Sequence, residues 1–537
     1  MSNTILYNAN IYTMEAPGAR AEAIAIAGNR IEAVGRLDTL LPLADANTRM
    51  IDLGGKCVLP GFNDTHCHVV QTGMESVKVC LRGVRSIGEL VVKMRRFIED
   101  RHIPDGEWVV GYGYDQLLFD EPRQPNRDDL DKVSARHPLM VDRICGHIGA
   151  ANSLALARVG FDAHTVIEGE GGIMEKDASG RLSGVLVETA RDVMANRMPK
   201  RDAAALAPLI RGVFEEASRY GVTSMQTDDL EAAPIGEIMA AYRRLKDEGS
   251  ATVRIWEEVQ CPRPRALEQF LALGLRTGDG DGFFRIGNIK IITDGSLGAR
   301  TAYMRTDYAD APGARGVAVY TQADLDDLVC QAHLAGMQVA CHAIGDGAVG
   351  QCVHAMAAAR AMDGVDRRNR IVHCQFAGDD LLDAMARAGI CADIQPAFVP
   401  SDYGMVGARM GARSGIGYRW KTMARRGIHM GGGSDSPVET FNPVWGIHCA
   451  VNRTGRDGLP EGGWRPEEKL SVFEAVRLYT SEGAYLTFEE ADKGMLRPGM
   501  LADMAVLDRD IFAVPQAEIM SLRNVMTIMD GNIVYTA

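Results

Sequence analysis

A chain of 537 residues, 46% hydrophobic and 24% charged, is too long for one small domain and apolar enough to bury a large core; a barrel of about 250 to 400 residues with a smaller partner domain fits that length. The net charge of -13 argues against nucleic acid and anionic membrane as partners. Eleven cysteines without a CxxC pair are not a disulfide framework, and the chain shows neither a basic leader nor 18 uninterrupted apolar residues, so a soluble cytoplasmic protein with reduced thiols is expected.

The first segment reads as short strands, ILYNANIYTM and AEAIAIAGNRIEAVG, with a hairpin turn at Gly28-Asn29. The last segment reads alike, with Asp530-Gly531 as another hairpin turn. The predicted organisation is therefore a composite β-sandwich from residues 1–58 and 490–537 beside a barrel over residues 59–489. Between the termini, strands alternate with long helical runs such as 202–221 and 348–362. Eight candidate strands fall at 57–66, 221–227, 252–260, 284–294, 337–342, 370–374, 390–396 and 428–435. Eight strands with helical crossovers predict an α/β fold, a (β/α)8 TIM barrel. An open doubly wound sheet would show a Gly-rich phosphate turn after its first strand, and none is there. The long gap between strands one and two predicts an inserted cap subdomain over residues 75–195, with strands of its own at 107–115 and 138–144. An insertion after a barrel strand belongs at the C-terminal face, where it would cap the site.

The informative feature is where His, Lys and Asp fall. His66 and His68 form an H-x-H at the end of strand one, on one face by alternation. His342 ends strand five, His373 ends strand six, Asp435 ends strand eight, and Lys290 interrupts the apolar NIKIIT of strand four. Taken singly, each has an ordinary explanation: a hydrogen-bonded histidine, a salt-bridged lysine, a turn aspartate. Together they place imidazole and carboxylate groups at one end of a barrel, the donor set of Zn²⁺ and related ions. Cys67, Cys341 and Cys374 neighbour three of these histidines, and alternation turns them toward the surrounding helices.

The motifs PGFNDTHCH (60–68), GVTSMQTDDL (221–230), IKIITDGSLGAR (289–300), CHAIGDGAV (341–349), RIVHCQ (370–375), GSDSPV (433–438) and KGMLRPGMLADMAVLD (493–508) resemble the amidohydrolase superfamily, specifically its YtcJ-like group, which includes N-substituted formamide deformylase. The cap stretch GHIGAANSLAL (146–156) is similar to that group as well. The resemblance spans essentially the whole chain. It implies a centre of one or two divalent ions, Zn foremost with Mn or Fe as alternatives. His66 and His68 would hold the more buried ion, His342 and His373 the second, and a carboxylated Lys290 would bridge the two. Asp435 would touch metal and act as the catalytic base. An unmodified Lys290 would leave a one-metal site.

Such a centre activates water for attack on a carbonyl, with Asp435 taking the proton. The expected reaction is hydrolysis of an amide-type C–N bond other than a peptide bond, in an N-substituted formamide or N-acyl compound. A metal-dependent isomerase, lyase or decarboxylase on the same scaffold is the alternative, and a binding protein with a decayed site a third. Candidate substrate contacts are His147 and Tyr114 in the cap, with Asp294, Arg300 and Trp445 near the barrel mouth. The expected partner is a small-molecule substrate, and the expected assembly a homodimer.

Overall fold

A computed structural model describes residues 3–167 and 172–537. Its contacts divide the chain into two units, one made of Met1–Gln71 with Asp202–Ala537, the other of Thr72–Arg201.

The larger unit contains eight parallel strands in sequential order: β1 (Phe62–Cys67), β2 (Val222–Asp228), β3 (Arg254–Gln260), β4 (Phe284–Ile292), β5 (Val339–Ala343), β6 (Arg370–His373), β7 (Cys391–Ile394) and β8 (Met430–Gly432). Helices follow the strands, as a parallel sheet requires; Ala203–Arg219, for example, starts where the Asp202 carboxylate accepts from the amide of Ala205 at 2.9 Å. The sheet closes where β8 runs into the turn of residues 433–436 beside β1. Asp435 N donates to His66 O, and His68 N to Ser436 O, both at 2.8 Å. Gly433 permits this seam, since a Cβ there would come within 2.8 Å of the His66 amide nitrogen.

Each of the eight runs read from the sequence overlaps one barrel strand, which makes the fold the (β/α)8 TIM barrel. The first run needs correction. The apolar stretch 57–66 is two strands, not one. Cys57–Pro60 pairs with Met504–Leu507 outside the barrel, and the chain then turns at Gly61 into β1. A side chain at Gly61 would press within 2.2 Å of the Thr223 hydroxyl.

Two further sheets in this unit combine both chain ends. Four strands are ordered 30–35, 23–27, 4–7 and 49–52; six are ordered 532–536, 524–529, 504–507, 57–60, 10–12 and 20–21. Leu6, Ile24 and Ile26 from the first sheet share a buried cluster with Ile11, Val58, Met504 and Ile528 from the second. Both sheets therefore bury one face against the other. Arg254, at the start of β3, ties this layer to the barrel through buried contacts to Asp503 (2.7 and 3.1 Å) and a partly buried one to Asp530 (2.8 Å).

The second unit is built on a mixed sheet ordered 173–176, 182–187, 148–151, 139–143, 109–114 and 79–80. Its own core includes Leu81, Leu90, Met94, Val109, Tyr114 and Val141. Among the described residues no helix is long and apolar enough to cross a membrane.

Candidate metal centre

The interior of most (β/α)8 barrels is packed with branched apolar side chains. This one is polar at mid-height. Arg370 of β6, fully buried, donates to Gln226 of β2 and Asn288 of β4, and to Glu258 Oε1 of β3 at 3.0 Å; it lies 3.4 Å from Asp393 of β7. Every one of these partners is itself buried, so the charges are balanced inside the barrel rather than by solvent.

Above that layer the histidines converge. His66 Nε2 and His68 Nε2 lie 3.5 and 3.2 Å from the same oxygen, Asp435 Oδ1. These three residues offer ligand atoms within 4.8 Å of one another, a spacing that can hold one metal ion. Lys290 Nζ is 3.0 Å from His66 Nε2 and 3.5 Å from Glu258 Oε2. The His373 ring centroid is 5.8 Å from that of His66 and 4.5 Å from that of His342. All six residues singled out on the strand ends thus lie in one neighbourhood.

Backbone irregularities aim several of these side chains. The pairing of β1 with β2 slips between Asp64 and Cys67, a bulge beside His66. Arg370 faces the interior, so strict alternation would put His373, three residues on, toward the helices. A left-handed backbone at His373 (φ 71°) and Cys374 (φ 44°) reverses this: the His373 ring joins the other histidines, while the Cys374 thiol lies against Met385 in the helix Asp379–Ala388. Asp435 is also left-handed, at φ 57°. Such conformations cost about 1–3 kcal/mol each and cluster at functional sites.

The ring nitrogens that do not face the centre are occupied. His66 Nδ1 donates to Glu258 Oε2 at 3.1 Å, His68 Nδ1 to the Asp228 carbonyl at 2.8 Å, and His373 Nδ1 to Gln395 Oε1 at 2.7 Å. His66 and His373 therefore turn an Nε2 lone pair inward, as a ligand must. His68 also turns Nε2 inward, where without an ion it donates to Asp435 Oδ1. Although burial opposes its charge, that carboxylate pushes His68 up to about 9, so an ion would displace this proton. His342 is turned the other way, with Nε2 3.5 Å from the Gly295 carbonyl and 3.4 Å from Asp294 Oδ1, which leaves Nδ1 on the opposite side of the ring. Burial opposes the charge on Asp435, but the His68 hydrogen bond and the surrounding imidazoles outweigh it and hold the carboxyl well below its usual range. Burial, followed by the nearby Lys290 charge, pushes His66 down to about 4, leaving a neutral ring. The donor set is thus two nitrogens and an anionic oxygen in a buried, preorganised cluster, which suits a divalent ion of the Zn type.

The remaining residues chosen from the sequence are placed differently. Tyr114 is not a surface group: it is fully buried in the core of the Thr72–Arg201 unit and gives its hydroxyl to Gln124 at 2.7 Å, so it does not line a cleft. His147 is exposed and pairs with Glu188 at 2.9 Å. The Asp294 carboxylate accepts from the amides of Tyr303, Ile344 and Gly345 at 2.8 to 3.0 Å and so pins the loops after β4 and β5. Arg300 is engaged by Asp310 through two contacts of 2.9 and 3.1 Å. Trp445 is buried in the helix Pro443–Asn452, stacked on His448.

Sequence reasoning missed Glu258, Arg370 and Asp228. Asp228 ends β2 almost fully buried, with its Oδ1 unpartnered among the described residues. The one signal for the other two was charge within otherwise apolar strands: Glu258 in RIWEEVQ and Arg370 opening RIVHC.

With barrel and site defined, the class follows: the chain belongs to the amidohydrolase family, whose model matches residues 49–535. Within it the chain falls in the YtcJ-like group. It is 31% identical over 528 residues to YtcJ of Bacillus subtilis (strain 168), which carries an amidohydrolase name, with 98% of each chain covered. It is 27% identical over 565 residues to the N-substituted formamide deformylase of Arthrobacter pascens, covering all of this chain and 98% of that one. Among solved structures, an uncharacterized metal-dependent hydrolase from Pyrococcus furiosus superposes with a TM-score of 0.79 at 29% identity, covering 95% of this chain and 99% of the other. The chain is accordingly an enzyme, a hydrolase of the amidohydrolase family.

Proposed function

We propose that this enzyme hydrolyses an amide-type C–N bond in a small molecule, of the N-substituted formamide or N-acyl class, at a divalent-metal centre held by His66, His68 and Asp435. The observation that carries the reading is the convergence of His66 Nε2, His68 Nε2 and Asp435 Oδ1 at the seam between β8 and β1. His342 and His373, whose rings are 4.5 Å apart, would hold a second ion. When bound, a divalent ion supplies water activation at neutral pH and polarises the scissile carbonyl. Zn is the ion of choice for this donor set.

The chain's own residues do the rest. Asp435, ionised and held at the seam by the bond from its own amide to the His66 carbonyl, accepts the proton of the attacking water and delivers it to the leaving nitrogen. His66 and His373, with their Nδ1 protons given away, keep their orientation through the cycle. Lys290 takes up carbon dioxide on its side-chain nitrogen: the ammonium gives up one proton, a C–N bond forms, a second proton leaves, and the resulting carbamate replaces a cation with an anion. Support for this is the burial of its amine 3.0 Å from a proposed ligand nitrogen, where an ammonium would repel the ion. Carbamate formation would be read as a carboxyl adduct on the Lys290 peptide or in native mass spectrometry.

The test is turnover of formamides and N-acyl amines in ¹⁸O water. Hydrolysis places solvent oxygen in the product carboxylate. A product formed without it assigns the enzyme to isomerase or lyase chemistry instead.

A further inference from the structure

We infer that Glu258, braced by Arg370, is a positioning residue of the metal centre: it holds the Nδ1 proton of His66 and so fixes the direction and basicity of the Nε2 that faces the ion. The inference rests on the metal reading above. Three features single Glu258 out.

The first is geometry. Glu258 splits its carboxylate, giving Oε2 to His66 Nδ1 at 3.1 Å and Oε1 to Arg370 Nη2 at 3.0 Å. Lys290 Nζ lies 3.5 Å from the same Oε2, so one carboxylate oxygen reaches both a histidine of the H-x-H and the strand-four lysine. A carbamate on that lysine keeps an N–H for the same contact.

The second is contrast. His68 and His373 give their Nδ1 protons to neutral acceptors, a backbone carbonyl and a glutamine amide. His66 alone of these three is given a carboxylate. A charged acceptor withdraws the Nδ1 proton more strongly and makes Nε2 a better donor to metal.

The third is cost. Glu258, Arg370 and His66 are all 0 to 1% exposed. A buried ion pair contributes little net stability, and apolar replacements of both partners are often neutral or better. The pair therefore calls for a purpose other than stability, and the His66 contact supplies one.

The experiment compares the full-length wild type with Glu258→Gln and with the triple variant Glu258→Gln/Arg370→Met/Asp393→Asn, because Asp393 is the other carboxylate beside Arg370. Each is stripped with chelator and titrated with Zn²⁺ against a chromophoric competitor, and the melting temperature of each metal-free form is recorded. Glu258→Gln alone leaves Arg370 only its longer 3.4 Å contact to Asp393 and lowers the melting temperature; the triple variant removes all three charges and recovers it. The expected result is Zn²⁺ affinity about 10- to 100-fold below wild type in both variants, including the triple variant whose stability has returned. Affinity that recovers together with the melting temperature makes Glu258 only a structural mate of Arg370 and overturns the inference, as does wild-type affinity in either variant. A wild type that takes up no Zn²⁺ overturns the metal reading itself, and the inference with it.

Discussion

Asp435 Oδ1 lies 3.2 Å from His68 Nε2, across the seam where the eighth strand of the barrel closes on the first. The two residues are 367 positions apart in sequence, so this contact exists only because the barrel closes. Its partner contact, Asp435 N to His66 O, belongs to the hydrogen bonds that make the closure. Fold and candidate chemistry share the same few atoms.

Replacing Asp435 with Asn keeps the shape of the side chain but removes its ability to accept a proton. Turnover should fall by about 10²- to 10⁴-fold, the range expected for loss of a general base. Metal content, read by elemental analysis, should fall far less, since both histidines remain.

Chelation should abolish activity, and added Zn²⁺ should restore it. The ion binds only the folded chain, so at a free concentration about 100 times its Kd it adds about 2.7 kcal/mol of stability. The melting temperature should rise with Zn²⁺ concentration, and the increment should shrink in His66→Asn and His68→Asn.

Gly433→Ala should strike the seam. The new methyl would press within 2.8 Å of the His66 amide and 3.0 Å of its carbonyl. Overpacking of this kind costs about 1–3 kcal/mol. Because the strain falls on a ligand residue, metal affinity should drop more than in Gly407→Ala, where a Cβ meets nothing within 4 Å. Parallel Zn²⁺ titrations check this.

Arg254→Met should destabilise the larger unit without changing the chemistry. It strands Asp503 and Asp530, whose carboxylates contact the Arg254 guanidinium where the barrel meets the terminal sheets. Removing one partner of a buried pair costs about 3–5 kcal/mol. Denaturant midpoints should fall accordingly, while the activity of the folded fraction below the transition stays at the wild-type value.

Much of the barrel was legible in the sequence because a parallel strand buried on both faces reads as an apolar run, and because polar residues at the ends of such runs stand out. His66, His68, His342, His373, Lys290 and Asp435 stood out in this way. The inward turn of His373 did not, since a positive φ leaves no mark in a histidine codeword. The break between Cys57–Pro60 and β1 was hidden in one continuous stretch, and the pairing of Cys57–Pro60 with Met504–Leu507 outside the barrel reveals it. Glu258 was invisible for a different reason. Glu257 and Glu258 look like a solvated pair, and alternation says they face opposite ways without saying that both ways are buried. Tyr114 misled although 107–115 reads as a strand: alternation does not say which face of that strand is covered, and the sheet around Val109–Tyr114 takes its ring into a core.

The most direct measurement is anomalous scattering at the zinc edge from crystals of the metal-loaded protein. A peak within coordination distance of His66 Nε2, His68 Nε2 and Asp435 Oδ1, accompanied or not by a second toward His342 and His373, is the predicted result. Stoichiometric zinc bound elsewhere, with those three atoms bare, would contradict it.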